Sequence, residues 1–413
     1  MKYIVNEKVV LSGPPEGPLA AYIGSFTDWV NEQGFASSSL WHRVHLAACF
    51  SAWLGNQGIP LGNISSDHPA QYLRYRARRV RPQGADRAAL KHLIEFLCGQ
   101  GVIPPQKALP ARELIPVERC AQAFEQYLRE ERALATATII YYVPFIRSFL
   151  KDRFGSGTVK LSRLRAGDVV GFVQRQAPHL HTKRAKLLTT ALRSFLQYAR
   201  YRGEITVDLA AAVPVVANWS MTSLPRAIAA DQVRQLLASI NRRTTMGCRD
   251  YAILLLLARL GLRASQVAFL ELDDIDWNLG RLNVRGKSGP RSGLPLPTEV
   301  GKAIAVYLRR GRPASASRRV FLRMKAPIRG FDGVCGIGSI VRHSLKRAGI
   351  KAPTQGAHQF RHGLATEMLR QGASLNEIGQ VLGHRHPQTT SIYTKVDINA
   401  LRTLALPWPG GAR

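Results

Sequence analysis

The sequence is poor in acidic residues and in cysteine. Its 413 residues include 27 Asp and Glu against 58 Lys and Arg, which gives a formal net charge of +31. The five cysteines are scattered and show no Cys-x-x-Cys spacing, which excludes a disulfide scaffold or a zinc finger and fits a reducing compartment. The longest nearly continuous apolar run, 252–260, contains Arg259 and is far shorter than the roughly 20 residues that a membrane span needs.

The charge indicates a polyanionic partner. Hydrophobic residues make up 46% of the chain, which is ample for buried cores, so the charge is not a sign of disorder. The basic excess rises along the sequence, with net charges of +4 for 1–111, +8 for 112–221 and +19 for 222–413. Nucleic acid is the first candidate partner, and a nonspecifically basic structural protein is the alternative. The N-terminal residues lack the apolar stretch of a signal peptide, so we expect a cytoplasmic, nucleoid-associated protein.

Two proline-containing linkers divide the chain. The segment 101–116 carries four prolines in sixteen residues, too many for a helix interior, and a second linker lies around Pro214 and Pro225. The sequence therefore predicts three domains, at 1–105, 113–215 and 222–413.

The first two predicted domains contain an internal repeat, with offsets that run from 96 to 102 residues. Each copy has apolar residues at helical spacing and a short turn that ends in Asp before another helix, which predicts two tandem helical domains. Chance similarity between two amphipathic helical segments is the alternative. The matched positions are Phe26 with Phe124, Trp29 with Tyr127, Trp53-Leu54 with Phe149-Leu150, 61–67 with 161–168, and 89–103 with 191–205.

The last third predicts a mainly helical α+β domain with a small sheet. A buried helix ends at Gly261 and a short helix follows it. The segment 281–297 alternates between apolar and polar residues around central glycines, which predicts a hairpin. Helical patterns follow at 300–310, 337–348, 358–370 and 375–382.

Five short motifs in this domain supply groups for one reaction on a phosphodiester. Arginines provide planar forks that match phosphate oxygens, lysine and histidine can transfer the proton of an attacking or leaving oxygen, and a tyrosine hydroxyl is a plausible nucleophile. Each motif alone is weak, but their combination is specific. The motifs are GLRASQ with Arg263, VRGKSG with Lys287 at a hairpin tip, HQFRH with His358 and Arg361, LGH with His384, and SIYTKV with Tyr393.

The sequence contains no obvious carboxylate cluster that would suit a two-metal nuclease or polymerase. Glu271, Asp273, Asp274 and Asp276 come nearest, and their order in a turn predicts a capping and solvated segment. We expect no metal and no other cofactor.

These motifs, in this order, resemble the catalytic domain of the tyrosine recombinase (phage integrase) family over about 224–405, and 113–215 resembles its helical core-binding domain. The resemblance implies a metal- and ATP-independent enzyme that cuts and rejoins DNA through a 3′-phosphotyrosine, during integration, excision or transposition of a mobile element. It implies one helical core-binding domain ahead of the catalytic domain. Together with the internal repeat, it predicts two tandem core-binding-like helical domains, of which the copy at 1–105 goes beyond the family's two-domain plan. The implied active-site residues are Arg263, Lys287, His358, Arg361, His384 and Tyr393.

The resemblance also implies partners. These are double-stranded DNA recombination sites, further copies of the chain in a homo-tetramer on two duplexes, and companion recombinases or DNA-bending factors, with no membrane. The tail after Tyr393 places Ile398, Leu401, Leu404 and Ala405 at helical spacing, which predicts a short amphipathic helix docked on its own domain or on a neighbouring protomer. A type IB topoisomerase and a DNA-binding module with an inactive site are the other functions considered.

One position departs from the family pattern. The family usually has an acidic residue three positions after the first arginine, and Gln266 occupies that position here. We expect the side chain to orient its neighbours, since an amide can replace a carboxylate as a hydrogen-bond acceptor but not as a charge.

Overall fold

The computed structural model describes residues 3–65, 67–103, 115–217, 224–286, 291–384, 386–396 and 401–402. Segments 1–105 and 223–413 form one compact unit, and 106–222 forms a second. Within the first unit, the backbone N–H of Ile328 donates to the carbonyl oxygen of Gln33 over 2.9 Å. The fold is mainly helical, with two small sheets in the described residues, so the predicted fold class is confirmed.

The N-terminal segment forms a hairpin and a four-helix domain. Strands β1 (Tyr3–Val5) and β2 (Val9–Leu11) pair antiparallel. The helices are α1 (Ile23–Glu32), α2 (Ser37–Asn56), α3 (His68–Ala77) and α4 (Asp86–Gly99), with a 3₁₀ turn at Leu61–Asn63 before α3. They enclose a core of their own, since apolar positions at three- and four-residue spacing, such as Phe26 and Val30, are fully buried.

The second compact unit repeats this order of helices. Its helices are α5 (Pro116–Glu130), α6 (Thr136–Phe154), α7 (Ala166–Gln176) and α8 (Thr182–Tyr201), with 3₁₀ turns at Leu161–Arg163 and Ala177–His179. It also has a separate core. The prediction of two tandem helical domains is thus confirmed.

The two helical domains share ring packing as well as element order. In both, the first helix carries two stacked aromatic rings, and the first of these contacts a tilted ring on the fourth helix. The equivalent pairs have nearly the same centroid distances and interplanar angles. They are Phe26–Trp29 (6.1 Å, 20°) with Phe124–Tyr127 (6.4 Å, 24°), and Phe26–Phe96 (5.6 Å, 54°) with Phe124–Tyr198 (5.4 Å, 51°).

The C-terminal segment is built around one buried helix. Its first helices are α9 (Ala230–Ala238), α10 (Thr245–Arg259) and α11 (Ala264–Ala268). Every residue of 252–257 is fully buried, because α10 packs on several elements at once, as its apolar sequence predicts. The remaining helices are α12 (Thr298–Val306), α13 (Cys335–Arg347), α14 (His358–Arg370), α15 (Leu375–Leu382) and α16 (Pro387–Thr390), with a π-helical turn at Tyr307–Gly311 after α12.

The predicted hairpin is present. Strands β3 (Ile275–Asp276), β4 (Arg281–Arg285) and β5 (Arg291–Pro295) form an antiparallel sheet in the order β3-β4-β5. Leu282 and Val284 alternate with more exposed residues along β4 and bury one face of the sheet against the core. The segment that joins β4 to β5 contains Lys287 and lies outside the described residues.

The acidic turn differs from the prediction of a solvated segment. Asp274 is 2% exposed, and its carboxylate accepts the backbone N–H of Glu271 over 3.0 Å, so that part of the prediction is wrong. Glu271 in turn pairs with Arg285 and Arg319. The turn lies against a basic strand and loop, and this arrangement draws its acids into ion pairs.

Several predicted features lie outside the described residues. They are Lys287, most of the first linker, and the C-terminal tail after Val396 apart from Leu401 and Arg402. Among the described residues, no helix is long and apolar enough to cross a membrane.

Candidate active site

A glycine break after α10 places the first arginine. Gly261 has a φ of +58°, and a Cβ there would lie 2.9 Å from a methyl carbon of Leu382, so the site requires glycine. The turn directs the chain into α11 with Arg263 as its N-cap residue. Nη2 of Arg263 donates to the carbonyl oxygen of Gly383 over 3.4 Å.

The second arginine is buried on α14. Arg361 is 4% exposed, and its guanidinium donates to the carbonyl oxygens of Gly261, over 2.8 Å, and of Leu382. Burial and the neighbouring charge of Arg263 lower the pKa of Arg361 to about 10, so it remains a cation at neutral pH. These two bonds fix the guanidinium while leaving some of its five N–H groups available to a ligand.

Both arginines therefore converge on the LGH segment. Arg361 bonds to Leu382 and Arg263 to Gly383, directly before His384. Gly383 has a φ of +60° and ends α15 in the left-handed conformation, which turns the chain toward the arginines.

Three histidines near these arginines have lowered pKa values. Burial, followed by the charges of Arg361 and Arg263, lowers the pKa of His384 to about 4 and also lowers that of His358. Burial and the charges of His358 and Arg361 lower the pKa of His362. These rings are neutral at pH 7 in the unliganded protein. The site thus combines two cationic arginines with uncharged imidazoles beside them.

The ring nitrogens of His384 have distinct environments. Its Nδ1 lies 2.8 Å from the hydroxyl oxygen of Thr390. A neutral ring that accepts the threonine hydrogen at Nδ1 carries its own hydrogen on Nε2, where it can be donated to a ligand.

The tyrosine is buried and contacts a histidine that the sequence interpretation did not select. Tyr393 is 1% exposed and packs with Ala365, Ile378 and Leu382 in a small core. Its hydroxyl oxygen lies 3.0 Å from Nδ1 of His362. Burial raises the pKa of Tyr393, and the charge of Arg361 opposes that shift. The available signal was the second histidine of HQFRH, which directly follows Arg361.

Gln266 connects the first arginine to the hairpin. Its Oε1 accepts the backbone N–H of Arg263 over 2.9 Å, and its Nε2 donates to the carbonyl oxygen of Arg285 over 3.1 Å. A carboxylate could make only the first of these bonds. The amide thus ties the N-cap of α11 to the end of β4, two residues before Lys287.

The structure brings together Arg263, His358, Arg361, His384 and Tyr393, and Lys287 lies outside the described residues. The described part of the chain contains no group of three His, Cys, Asp or Glu side chains placed to hold a metal ion. The arrangement offers a phosphate two fixed guanidinium groups, neutral imidazoles and a phenol in contact with one of them.

Comparisons with known proteins identify the family of the chain. The profile of the phage integrase family matches residues 226–399, and that of the phage integrase N-terminal SAM-like domain matches 121–203. The chain is 59% identical over its full 413 residues to an integrase/recombinase named y4rA of Sinorhizobium fredii, strain NBRC 101917 / NGR234, and covers all of that relative. It belongs to the phage integrase family and is an enzyme of the tyrosine recombinase type.

A more distant relative and two solved structures extend the comparison. The tyrosine recombinase XerD of Listeria monocytogenes, serotype 4b strain F2365, is 29% identical over 66% of this chain and 92% of its own. XerH site-specific recombinase, in a post-cleavage complex with a palindromic difH substrate, matches with a TM-score of 0.55 and 17% identity over 75% of this chain and 92% of its own. A lambda integrase (75–356) dimer bound to a COC′ core site matches with a TM-score of 0.52 and 16% identity, over 70% of this chain and 97% of its own. The structural matches support the fold.

Proposed function

We propose that this enzyme cuts and rejoins duplex DNA at specific sites through a 3′-phosphotyrosine at Tyr393, without metal or ATP. The observation that carries the proposal is the contact of the Tyr393 hydroxyl with His362, on the helix turn that also holds the buried Arg361. A phenol oriented by a neutral base beside a fixed cation is suited to attack a phosphodiester.

The reaction has two steps, and each step breaks one ester bond at the phosphorus and forms another. In the first, the Tyr393 oxygen attacks the scissile phosphorus, the bond from phosphorus to the 5′-oxygen breaks, and the 5′-oxygen leaves as a hydroxyl. In the second, a 5′-hydroxyl from another duplex attacks the same phosphorus and releases the tyrosine. One phosphodiester is broken and one is made in each strand exchange, so no external energy source is required.

Arg263 and Arg361 are the proposed phosphate clamp. The negative charge on the non-bridging oxygens increases toward the transition state, so fixed guanidinium groups stabilise the transition state more than the substrate. The carbonyl oxygens of Gly261, Leu382 and Gly383 hold both groups in place before DNA binds.

The histidines take different proposed roles. His362 is neutral at pH 7, and an unprotonated Nδ1 can accept the hydrogen of Tyr393 as the oxygen attacks. His358 and His384 are neutral donors to the non-bridging oxygens, and the contact with Thr390 supports an Nε2 hydrogen on His384.

Lys287 is the proposed general acid for the leaving 5′-oxygen. The hairpin that carries it begins at β4, which Gln266 connects to Arg263. A DNA substrate with a 5′-bridging phosphorothiolate tests this role, because its sulfur leaves without protonation. The Lys287→Ala variant should cleave that substrate at the wild-type rate and the oxygen substrate far more slowly, and a defect on both substrates would reject the role.

The proposed partners are two DNA duplexes and further copies of the chain, assembled as a tetramer. The solved lambda integrase dimer on a core site and XerH on its difH substrate support DNA as the partner. A mobile-element role is supported by the integrase/recombinase names of the relatives and by the fold match to the Tn1549 transposon integrase in complex with a circular intermediate DNA, at a TM-score of 0.51. Companion recombinases or DNA-bending factors are further proposed partners.

A pair of assays tests the proposed function with duplexes taken from the DNA that flanks the gene. Wild-type protein should exchange strands between two duplexes and form an SDS-resistant adduct with a nicked one, without added metal or ATP. Tyr393→Phe should bind the same DNA and form no adduct. Relaxation of supercoils without any exchange between duplexes would instead indicate topoisomerase activity, and binding without an adduct by the wild type would indicate an inactive site.

A further inference from the structure

Five arginines around the end of α3 form an exposed basic patch on the N-terminal domain. The stretch from His68 to Ile94 contains a single acidic residue, Asp86, which is 3% exposed and accepts a hydrogen bond from Arg76 over 2.8 Å. No exposed carboxylate in this stretch can therefore neutralise the arginines locally. The arginine patch consists of Arg74, Arg78, Arg79, Arg81 and Arg87, all exposed.

The patch differs from two exposed lysines of the same domain. Elsewhere in the domain, Lys8 pairs with Asp28, and Lys91 pairs with Glu95. Among the described residues, none of the five patch arginines has a recorded carboxylate partner. A domain with a small net charge thus concentrates its positive charge at one place, which is typical of a surface that meets a polyanion.

An aromatic ring lies within the patch. The Arg79 guanidinium carbon lies 5.0 Å from the centroid of the Tyr75 ring, and Tyr75 is itself 38% exposed. Stacking of this kind restrains an arginine without using its hydrogen-bond donors. Those donors remain available for phosphate oxygens.

The equivalent junction of the second helical domain is also basic. The arginine patch lies at the junction between the third and fourth helices of its domain, and the second domain has the same order of helices and the same ring packing. At that junction the second domain exposes Lys183, Arg184 and Lys186. This second domain contains the segment that matches the family's SAM-like domain, and the first domain lies outside that match.

We propose that the arginine patch binds the phosphate backbone of duplex DNA, so that each chain contacts DNA through two copies of one helical domain. The inference goes beyond the proposed reaction, which involves only the C-terminal segment. Arginine forks match phosphate geometry, and contacts of this kind add affinity and a longer binding site without reading sequence.

The salt dependence of binding tests the proposal with the full-length protein and a random-sequence 60-base-pair duplex. Each phosphate contact contributes about 0.9 to the slope of log affinity against log salt. Arg79→Gln with Arg81→Gln should reduce that slope by about 2. The matched control is Lys8→Gln with Lys91→Gln, which removes the same charge from the same domain and should leave the slope unchanged within experimental error. Equal slopes for the wild type and both double variants would overturn the proposal.

A crosslinking experiment identifies the partner directly. Val80 lies inside the patch and Val10 on the β-hairpin, and they are 46% and 45% exposed. With p-benzoylphenylalanine at either position, Val80 should crosslink to labelled DNA and Val10 should not. Crosslinks from Val80 to another protein chain, or equal DNA crosslinking at both positions, would reject the patch as a DNA surface. Both experiments measure DNA binding and neither requires DNA cleavage. Their outcomes are therefore independent of whether Tyr393 is the nucleophile.

Discussion

The hydroxyl oxygen of Tyr393 lies 3.0 Å from Nδ1 of His362, and the two rings meet edge to face at a centroid distance of 5.8 Å. The contact crosses 31 residues of sequence and joins the nucleophile candidate to the turn of α14 that carries Arg361. It defines where the phenol points before any DNA is bound.

His362 should therefore contribute to the first chemical step. Removing a general base typically costs 10²–10⁴-fold, so we expect His362→Ala and His362→Asn each to slow adduct formation by about 100-fold with unchanged DNA affinity. The asparagine keeps a polar atom near the Nδ1 position but accepts a proton poorly. Single-turnover cleavage rates measure this, with His343→Ala, a histidine on α13, as the control. Full activity of His362→Asn would reduce the role of His362 to positioning.

Gln266 should act through the hairpin. Gln266→Glu keeps the bond to the Arg263 N–H and loses the donor to Arg285, a loss of about 1 kcal/mol that corresponds to a rate effect of roughly fivefold. If the amide positions Lys287, the variant should be slow on the oxygen substrate and normal on the 5′-bridging phosphorothiolate. An equal defect on both substrates would show that the substitution does not act through Lys287.

The two arginines should differ in their effect on stability. Arg361→Lys leaves two buried carbonyl contacts poorly satisfied, which should lower the free energy of unfolding by about 1–3 kcal/mol, whereas Arg263→Lys should cost less than about 1 kcal/mol. Both should slow cleavage by about 10²–10³-fold. Urea titrations and cleavage rates measure the two effects, with the surface Arg259→Lys as the control. Equal stability of the two variants would contradict the structural role of Arg361.

Acid should destabilise the unliganded protein through its histidines. The pKa of His384 falls from 6.5 to about 4 in the folded state, so the unfolded chain binds the proton more readily. The stability contribution is present above pH 6.5 and is lost as the pH falls toward 4. The loss should stay well below the roughly 3 kcal/mol of a fully buried group, since solvent reaches the ring. Urea unfolding between pH 4.5 and 7.5 should show the decline, and His384→Asn should flatten it. An unchanged slope in that variant would exclude His384 as a source.

Local pattern was enough to predict much of the C-terminal segment. Helices α14 and α15 begin and end at the residues that the apolar spacing indicated. Their ends could be predicted because Gly372 and Gly383, which follow them, adopt the left-handed backbone conformation. The pattern at 300–310 overran α12, where the last turn widens into a π-helical turn at Tyr307–Gly311. The spacing of apolar residues predicts which face of a helix is buried. It does not predict whether the last turn is α-helical or π-helical.

Side-chain partnerships between distant segments could not be predicted in the same way. The burial of Asp274 depends on the turn lying against the core. The contact of His362 with Tyr393 depends on how the 3₁₀ turn at Ser391–Val396, which carries Tyr393, packs on α14. The motif identified candidate residue types, but only packing determines which histidine meets the tyrosine.

Mapping the covalent bond tests the central claim most directly. Wild-type protein trapped on a nicked duplex is digested with nuclease and trypsin, and the peptide that retains a nucleotide is sequenced by mass spectrometry. We predict a 3′-linked nucleotide on Tyr393, with no adduct in Tyr393→Phe, which keeps the buried ring. A nucleotide on any other residue, or an undiminished adduct in Tyr393→Phe, would contradict the account.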